Sequence, residues 1–599
     1  MIRSAKSLFA LFIISNLVSA QTINQKNILV FSHQSGFYET SFDLNIYIDN
    51  SNLKIHYTTN GSIPKHTDSV FKQPIRISDV SQKKNILSEI PTSERWEAPR
   101  NTVNKATIIR AIAFNDTIAV TPIYSKTYFL EQENRYSFPI VSIITDSLNL
   151  FQLDSGIYLI GNNLNYSKRG KVWERLAHLE YFDVNGKSQL SQNMGIRIHG
   201  NKGRAFPQKS MRLYARSEYG ESKFNYQFFL NKPTTEFKRL VLRSASSNDW
   251  KNTLFKNELA QELTSTLNLS YQANIPVIVF INGEYWGIHH LSERVDEYYL
   301  NEYYGANKDS ISLLSNNGIV EQGSATDFLE LINYINTHSL IESTHYNNVA
   351  EQLDINNFID YNISQIFLSN TDWPNNNVKF WKANKRDKWR WIMSDCDECM
   401  SYEEYHVLGD FLNELPYHQY FEEWSTFLMH NLLQNKLFKK QFRNRFENLL
   451  LNNFSTTNML NKISLLKQAY KPELMEHINR WNTPSTMDDW EEAVNGLNSF
   501  AILRPIEMKN QLNDVFKSPV IIFPNPANEH IQCSLLIESE GPIYLKLYSL
   551  IGECLVKYKY ENTTEFNNNV INVSDLTTGI YTVEIEINEY RYLSKIVVN

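Results

Sequence analysis

Cysteine is scarce: Cys396, Cys399, Cys533 and Cys554 are the four in a chain of 599 residues. So few in so long a chain do not make a disulfide framework, and hydrophobic burial must carry the stability. Cys396 and Cys399 form a C-x-x-C, but no second C-x-x-C or histidine pair at zinc spacing accompanies it, so a closed zinc site is unsupported. Cys533 and Cys554 could pair in an oxidising compartment. Excess positive charge is also missing. Lys and Arg total 58 against 65 Asp and Glu, a net charge of -7, which excludes a broad basic surface for nucleic acid. Beyond the N-terminus no apolar run approaches the roughly 20 residues of a membrane helix. No G-x-G-x-x-G and no P-loop lysine appears at any strand-to-helix junction.

What is present is ordinary globular composition, 42% hydrophobic and 21% charged, which excludes a disordered chain or a coiled coil. At roughly 100 to 200 residues per domain the chain should hold about three to five domains. Aromatics reach 13%, with 33 Tyr, 33 Phe and 11 Trp, which suits strand-rich domains and extracellular ligand surfaces. The first 20 residues read as a secretory signal: Arg3 and Lys6, an apolar run from Leu8 to Ile14, then Val18-Ser19-Ala20 before Gln21. Its removal takes away two positive charges and leaves a soluble exported protein at -9.

The organisation is multidomain. From about 28 to 130, short strands alternate with turns: Phe42 to Ile48, Lys54 to Thr58, Asn60-Gly61-Ser62-Ile63-Pro64, Thr107 to Phe114 and Ile123 to Leu130, a small β-sandwich. Ile55-His56-Tyr57-Thr58-Thr59-Asn60-Gly61-Ser62-Ile63-Pro64 with Ile109-Arg110-Ala111-Ile112-Ala113 resembles the C-terminal β-sandwich of chitobiases and hexosaminidases, an accessory module there. From about 136 to 515 the order is strands, a helix over Trp250 to Leu267, a hairpin turning at Asn282-Gly283, then helices over about 322 to 368 and 415 to 515, a two-lobe α+β body. Trp373, Trp381, Trp389, Trp391 and Trp490 sit in apolar runs and should pack the helical lobe. The block from 519 to 599 is again strands, in sandwich form. Its Pro524-Asn525-Pro526 opening, Ile551-Gly552-Glu553 turn, Leu576-Thr577-Thr578-Gly579-Ile580-Tyr581 strand and final Lys595-Ile596-Val597-Val598 resemble the type IX secretion sorting domain. That resemblance implies the type IX secretion machinery as partner, export through the periplasm of a Gram-negative bacterium to the cell surface or medium, and removal of the domain.

Chemistry concentrates in Asp372-Trp373-Pro374-Asn375-Asn376-Asn377 and in Ser394-Asp395-Cys396-Asp397-Glu398. Phosphoryl transfer needs a carboxylate to orient the attacking hydroxyl, and an amide plus a second carboxylate to hold Mg²⁺ against the phosphates. Asp372 and Asn377 have the five-residue spacing of a kinase catalytic loop, and Asp395 could return to the same cleft. Capping and turn roles explain such residues more often, and the acidic run could be a solvated loop or a calcium site.

Five ordered matches over about 136 to 515 resemble the spore coat protein H (CotH) kinase family, which has an atypical protein-kinase-like two-lobe fold. They are Gly195-Ile196-Arg197-Ile198-His199-Gly200-Asn201 with Arg204, Lys209-Ser210, Asn282-Gly283-Glu284-Tyr285-Trp286-Gly287 leading to Glu293, Asp372 with Asn377, and Ser394-Asp395-Cys396-Asp397. Ser394 replaces a family Trp, and Cys396 stands where an apolar residue is usual. The resemblance implies Asp372 as the catalytic residue for the acceptor hydroxyl, Asn377 and Asp395 as Mg²⁺ ligands, and Lys209 as a point charge on the ATP phosphates. Glu258, or Glu262 one turn on, would be the partner of Lys209. Arg204, which could touch phosphate or pin its hairpin to a carboxylate, and Glu293 complete the expected cofactor-binding set. The expected function is an exported kinase moving the ATP γ-phosphate to Ser or Thr of a protein, or to another hydroxyl acceptor. A non-catalytic surface or secreted protein on a kinase-like scaffold is the alternative, and a carbohydrate-active protein ranks last, because no acid and nucleophile pair can be picked.

Overall fold

The computed structural model of the chain describes residues 27–246, 248–406, 408, 421–516, 520–535, 539, 541–587 and 590–599. The expected signal segment, 1–20, lies outside them. At the N-terminus, Thr107–Asn115 pairs antiparallel with both Lys54–Thr58 and Tyr124–Phe129. Alternation puts Ile55, Ile109, Ala111, Ala113 and Tyr128 in its core. At the C-terminus a three-stranded and a four-stranded sheet enclose Ile531, Leu545, Val583, Ile585 and Ile596.

The central body opens with strands β1 (Ile140–Ile144), β2 (Arg175–Phe182), β3 (Ser188–Ile198), β4 (Met211–Tyr214) and β5 (Arg239–Arg243), helix α1 (Lys256–Thr264), and strands β6 (Asn274–Ile281) and β7 (Glu284–Glu293). The strands close into a barrel in the order β1-β2-β3-β4-β5-β7-β6, with β6 lying parallel to β1. Alternating residues fill it, among them Ile196, Ile198, Met211, Leu213, Leu240, Leu242, Val277, Val279 and Leu291. The β6–β7 hairpin turns at Asn282-Gly283, both with positive φ, as that pair demands.

The helix expected from Trp250 begins only at Lys256. The Asp249 carboxylate accepts from Thr253 N (3.2 Å), Thr253 Oγ1 (2.6 Å), Leu254 N (3.0 Å) and Lys256 N (2.9 Å), holding the preceding residues as a loop in which Leu254 has φ 69°.

The second lobe carries β8 (Ser312–Ser315), β9 (Ile319–Gln322), α2 (Ile355–Phe367), β10 (Lys379–Lys382), β11 (Arg390–Met393), α3 (Lys436–Leu451), α4 (Thr456–Trp481) and α5 (Met487–Val515). Its sheet runs from the two-residue strand Ser270–Tyr271 through β11, β10 and β8 to β9. Trp373, Trp381, Trp389, Trp391 and Trp490 are all buried, as their apolar runs led us to expect. Helix α4 fastens the lobes together: Ile288 N donates to His477 Nδ1 (3.0 Å), Trp481 Nε1 to the Trp286 carbonyl (2.9 Å) and Ser137 N to Glu473 (2.7 Å). The N-terminal module is fastened too. Glu284 accepts from the backbone N–H groups of Ile86, Leu87 and Ser88, and Leu87 joins the barrel's hydrophobic cluster.

Candidate active site

Four loops meet at one end of the barrel. The first follows β3 and carries Gly200, Lys202 and Arg204. The second leads from Arg243 at the end of β5 through Ser246 and Asn248. The third follows α2 and carries Asp372, Asn376 and Asn377. The fourth follows β11 and carries Asp395, Asp397 and Glu398. Arg243 Nη2 reaches Asp395 Oδ1 at 2.8 Å and Asp397 Oδ2 at 2.5 Å. Ser246 Oγ donates to Asp397, and Asn248 to Glu398. Thr371 Oγ1 donates to the Glu398 carbonyl at 3.3 Å, joining the third loop to the fourth. The amides of Asn376 (3.0 Å) and Asn377 (2.8 Å) both donate to Asp372 Oδ2, and Lys202 Nζ lies 4.0 Å from Asp372 Oδ1. A carboxylate held on one oxygen by two amides keeps the other oriented for an incoming hydroxyl.

The backbone between Ser369 and Met400 is strained at four places. Ser369 (φ 53°), Asn377 (57°), Asp395 (56°) and Met400 (55°) are non-glycine residues in the left-handed region, a conformation that costs of order 1 kcal/mol or more and gathers at functional sites. A disulfide between Cys396 and Cys399 spans the acidic loop, and both residues are buried. Cys396 N donates to Asn257 Oδ1 (3.1 Å) on α1, and Met400 N to the Leu368 carbonyl (2.7 Å). The C-x-x-C is thus a clasp. The Cys533–Cys554 pairing considered above does not form, because Cys533 is buried, Cys554 is exposed, and their strands belong to different sheets.

Burial pushes the Asp397 carboxyl up to about 7, with Asp395 adding to the effect and Arg243 opposing it. Burial likewise raises Glu258 to about 7 against the pull of Arg243. Two crowded carboxylates are what a cation relieves, and Mg²⁺ takes one or two carboxylates from a protein and completes its shell with water and phosphate oxygens. Asp395 and Asp397 fit the carboxylate part of that donor set. Among the described residues no three His, Cys, Asp or Glu converge as a self-sufficient metal site.

The structure therefore joins Asp372 to Asn377 and sets their loop against the loop of Asp395, and it spreads the expected cofactor-binding set apart. Lys209 is fully buried. Its Nζ donates to the Phe206 carbonyl (2.6 Å) and lies over the rings of Tyr158 and Tyr166, with no carboxylate beside it among the described residues, and burial lowers its pKa to about 7. The expected Lys209–Glu258 pair is not formed. Lys209 shares strand parity with Met211 and Leu213, which point into the barrel, so its side chain is directed away from the cleft. The basic residue whose charge acts on Glu258 is Arg243, which sequence reasoning missed. Glu258 lies 3.3 Å from His290, the register partner of Arg243.

Arg204 donates to the carbonyls of Gly200 (2.6 Å), Tyr166 (2.8 Å) and Lys168 (3.0 Å). It pins its loop through backbone carbonyls, and no carboxylate pairs with it among the described residues. Glu293 pairs with Leu240, at the other end of β5 from Arg243. It accepts from Ala273 N (3.0 Å) and Tyr303 and faces Lys232 (3.7 Å), so it is part of a buried lysine–tyrosine cluster and not of the acid loops. The parity of Leu240-Val241-Leu242-Arg243 was the available signal for Arg243: leucines inward, arginine outward.

Residues 196–508, just over half of the chain, match the family described as CotH kinase protein. Residues 44–128 match Fn3 associated, and residues 521–599 match the secretion system C-terminal sorting domain. No curated protein matches. Among solved structures, the Helicobacter pylori proinflammatory kinase CtkA aligns at 12% identity over 51% of this chain and 94% of its own, with a TM-score of 0.26. The twitchin kinase region from C. elegans aligns at 9% identity over 94% of this chain and 99% of its own, with a TM-score of 0.20. Neither likeness is close enough to assign a residue.

Proposed function

This chain belongs to the CotH kinase family, and from that premise we propose that it is an exported phosphotransferase moving the γ-phosphoryl group of ATP to a hydroxyl of a protein or other acceptor. The observation that supports the reading is the contact of the loop of Asp372, which Asn376 and Asn377 fix, with the loop whose Asp395 and Asp397 engage Arg243. Asp372 orients the acceptor hydroxyl and takes its proton. Mg²⁺ held by Asp395, Asp397 and Asn377 would neutralise charge on the transferring group. Arg243 sets the two aspartates side by side and is balanced on its other flank by Glu258. Lys202, on the loop after β3, lies 4.0 Å from Asp372. The sorting domain at 521–599 supports delivery to the cell surface or the medium through the type IX machinery, and among the described residues no helix is long and apolar enough to cross a membrane.

A non-catalytic scaffold is the second reading, favoured by one observation: Arg243 already engages both carboxylates, beside a loop where Ser394 replaces the family Trp. The two separate in an assay with γ-labelled ATP and Mg²⁺ on the full-length protein. The phosphotransferase reading expects label on the protein or an added acceptor, lost in Asp372→Asn and in Asp395→Asn. Absence of labelling by a folded wild type favours the scaffold.

A further inference from the structure

The outer side of β3, β4, β5 and β7 is crowded with arginine, in a protein whose net charge is negative. Arg197 pairs across the ladder with Arg212, and Tyr214 with Arg239. Arg243 pairs with His290 one strand further on, and Arg294 directly follows β7. Alternation directs these residues outward while Ile196, Leu213, Leu240, Leu242 and Leu291 fill the barrel. At about 7 Å for every two residues, the face runs about 13 Å from Arg239 to Arg243.

Four of the five arginines have carboxylates: Arg197 has Glu174 (3.6 Å), Arg239 has Asp296 (2.8 Å) and Glu297 (3.0 Å), Arg294 has Asp296 (3.5 Å), and Arg243 has Asp395 and Asp397. Arg212, in the middle, has none among the described residues. It is largely buried, and its Nε donates to His199 Nδ1 at 2.8 Å. The surrounding charge is felt locally. Burial works to raise the Tyr214 phenol, yet Arg212, Arg294 and Arg197 bring it below its ordinary value. Burial and then Arg212 and Arg243 hold His199 well below its own.

We propose that Arg212, flanked by His199 and Arg197, is the centre of a polyphosphate cradle, taking the phosphate chain that the sequence resemblance gives to Lys209. This rests on the phosphotransferase reading for its purpose, since the chain would run from the middle of the face toward Arg243 and the acid loops. The Arg212 Nε is engaged by His199 and its side chain lies beside Tyr214, and the planar guanidinium fork suits bidentate capture of phosphate oxygens.

The test is calorimetric titration of inorganic tripolyphosphate into the full-length protein, beside the labelling assay above. Wild type binds; Arg212→Met binds at least tenfold more weakly; Arg212→Lys, which keeps charge without the fork, falls between; Lys209→Met binds as wild type does. Circular dichroism checks that each variant is folded, and if Arg212→Met is not, Arg212→Gln replaces it. The cradle is overturned if wild type does not bind tripolyphosphate, or if the Arg212 variants bind it as tightly as wild type. Labelling that persists while Arg212 proves irrelevant removes the cradle and leaves the phosphotransferase reading intact. Arg212-dependent binding without any labelling does the reverse.

Discussion

Lys209 and Arg212 stand three positions apart at the start of one strand and belong to opposite regions of the molecule. Lys209 points into the barrel, against tyrosine rings and a carbonyl. Arg212 lies on the barrel's outer face, amid other arginines. Charge alone does not make a phosphate ligand. Strand parity sends the motif lysine inward and the arginines of β3, β4 and β5 outward, where Arg243 meets the acid loops.

The contrast can be broken at several points. The largest expected effect is at the cleft. Asp395→Asn should lower γ-phosphoryl transfer by at least about a hundredfold, the scale on which a single preorganised electrostatic group acts, as measured by initial rates at saturating ATP. Next, Arg243→Met leaves Asp397 buried without its cation, and denaturant unfolding at pH 8 should report a loss of about 3 kcal/mol. Full stability in that variant would mean that the ion pair does not organise the loops. Cys396→Ala with Cys399→Ala removes a short clasp and should cost about 2 kcal/mol. It should also weaken Mn²⁺ binding, read by electron paramagnetic resonance, because Asp395 and Asp397 lose their fixed separation. Unchanged Mn²⁺ affinity would make the clasp purely structural.

The last effect belongs to the barrel interior and is spread over pH. Lys209 has a folded pKa of about 7, below the usual value of about 10.4. Between those values the unfolded chain binds the extra proton, so wild-type stability should rise with pH from about 7 to about 10, by at most about 1.4 kcal/mol per unit from this group. Lys209→Met should show a flatter profile over that window and equal or greater stability at pH 7. A steeper profile in the variant would mean that Lys209 is charged in place and has an unseen partner.

Much of this was legible in the sequence. Alternation marked the strands of all three β-rich parts, Asn282-Gly283 marked its hairpin, and the five-residue spacing of Asp372 and Asn377 picked out a loop whose side chains do meet. Other placements were not legible. Glu293 and Arg204 were grouped by motif order and Glu258 by its place on the expected helix, but their partners come from far along the chain, and spacing does not give those distances. For Lys209 the signal was local: its parity with Met211 and Leu213 was readable beside its charge. The clasp at Cys396 and Cys399 lay between these cases. The spacing was plain, but its meaning depended on a loop tight enough to bring the two sulfurs together. The closure of seven strands into a barrel rests on the parallel pairing of Ile140–Ile144 with Asn274–Ile281, a contact between segments more than a hundred residues apart.

The most direct measurement compares the initial rate of γ-phosphoryl transfer from ATP by Arg243→Met and Lys209→Met, each checked for folding and set against wild type. The account expects wild type to transfer, Arg243→Met to fall by at least about a hundredfold, and Lys209→Met to stay within a few-fold. No transfer by the folded wild type, or a collapse in Lys209→Met with Arg243→Met intact, would contradict it.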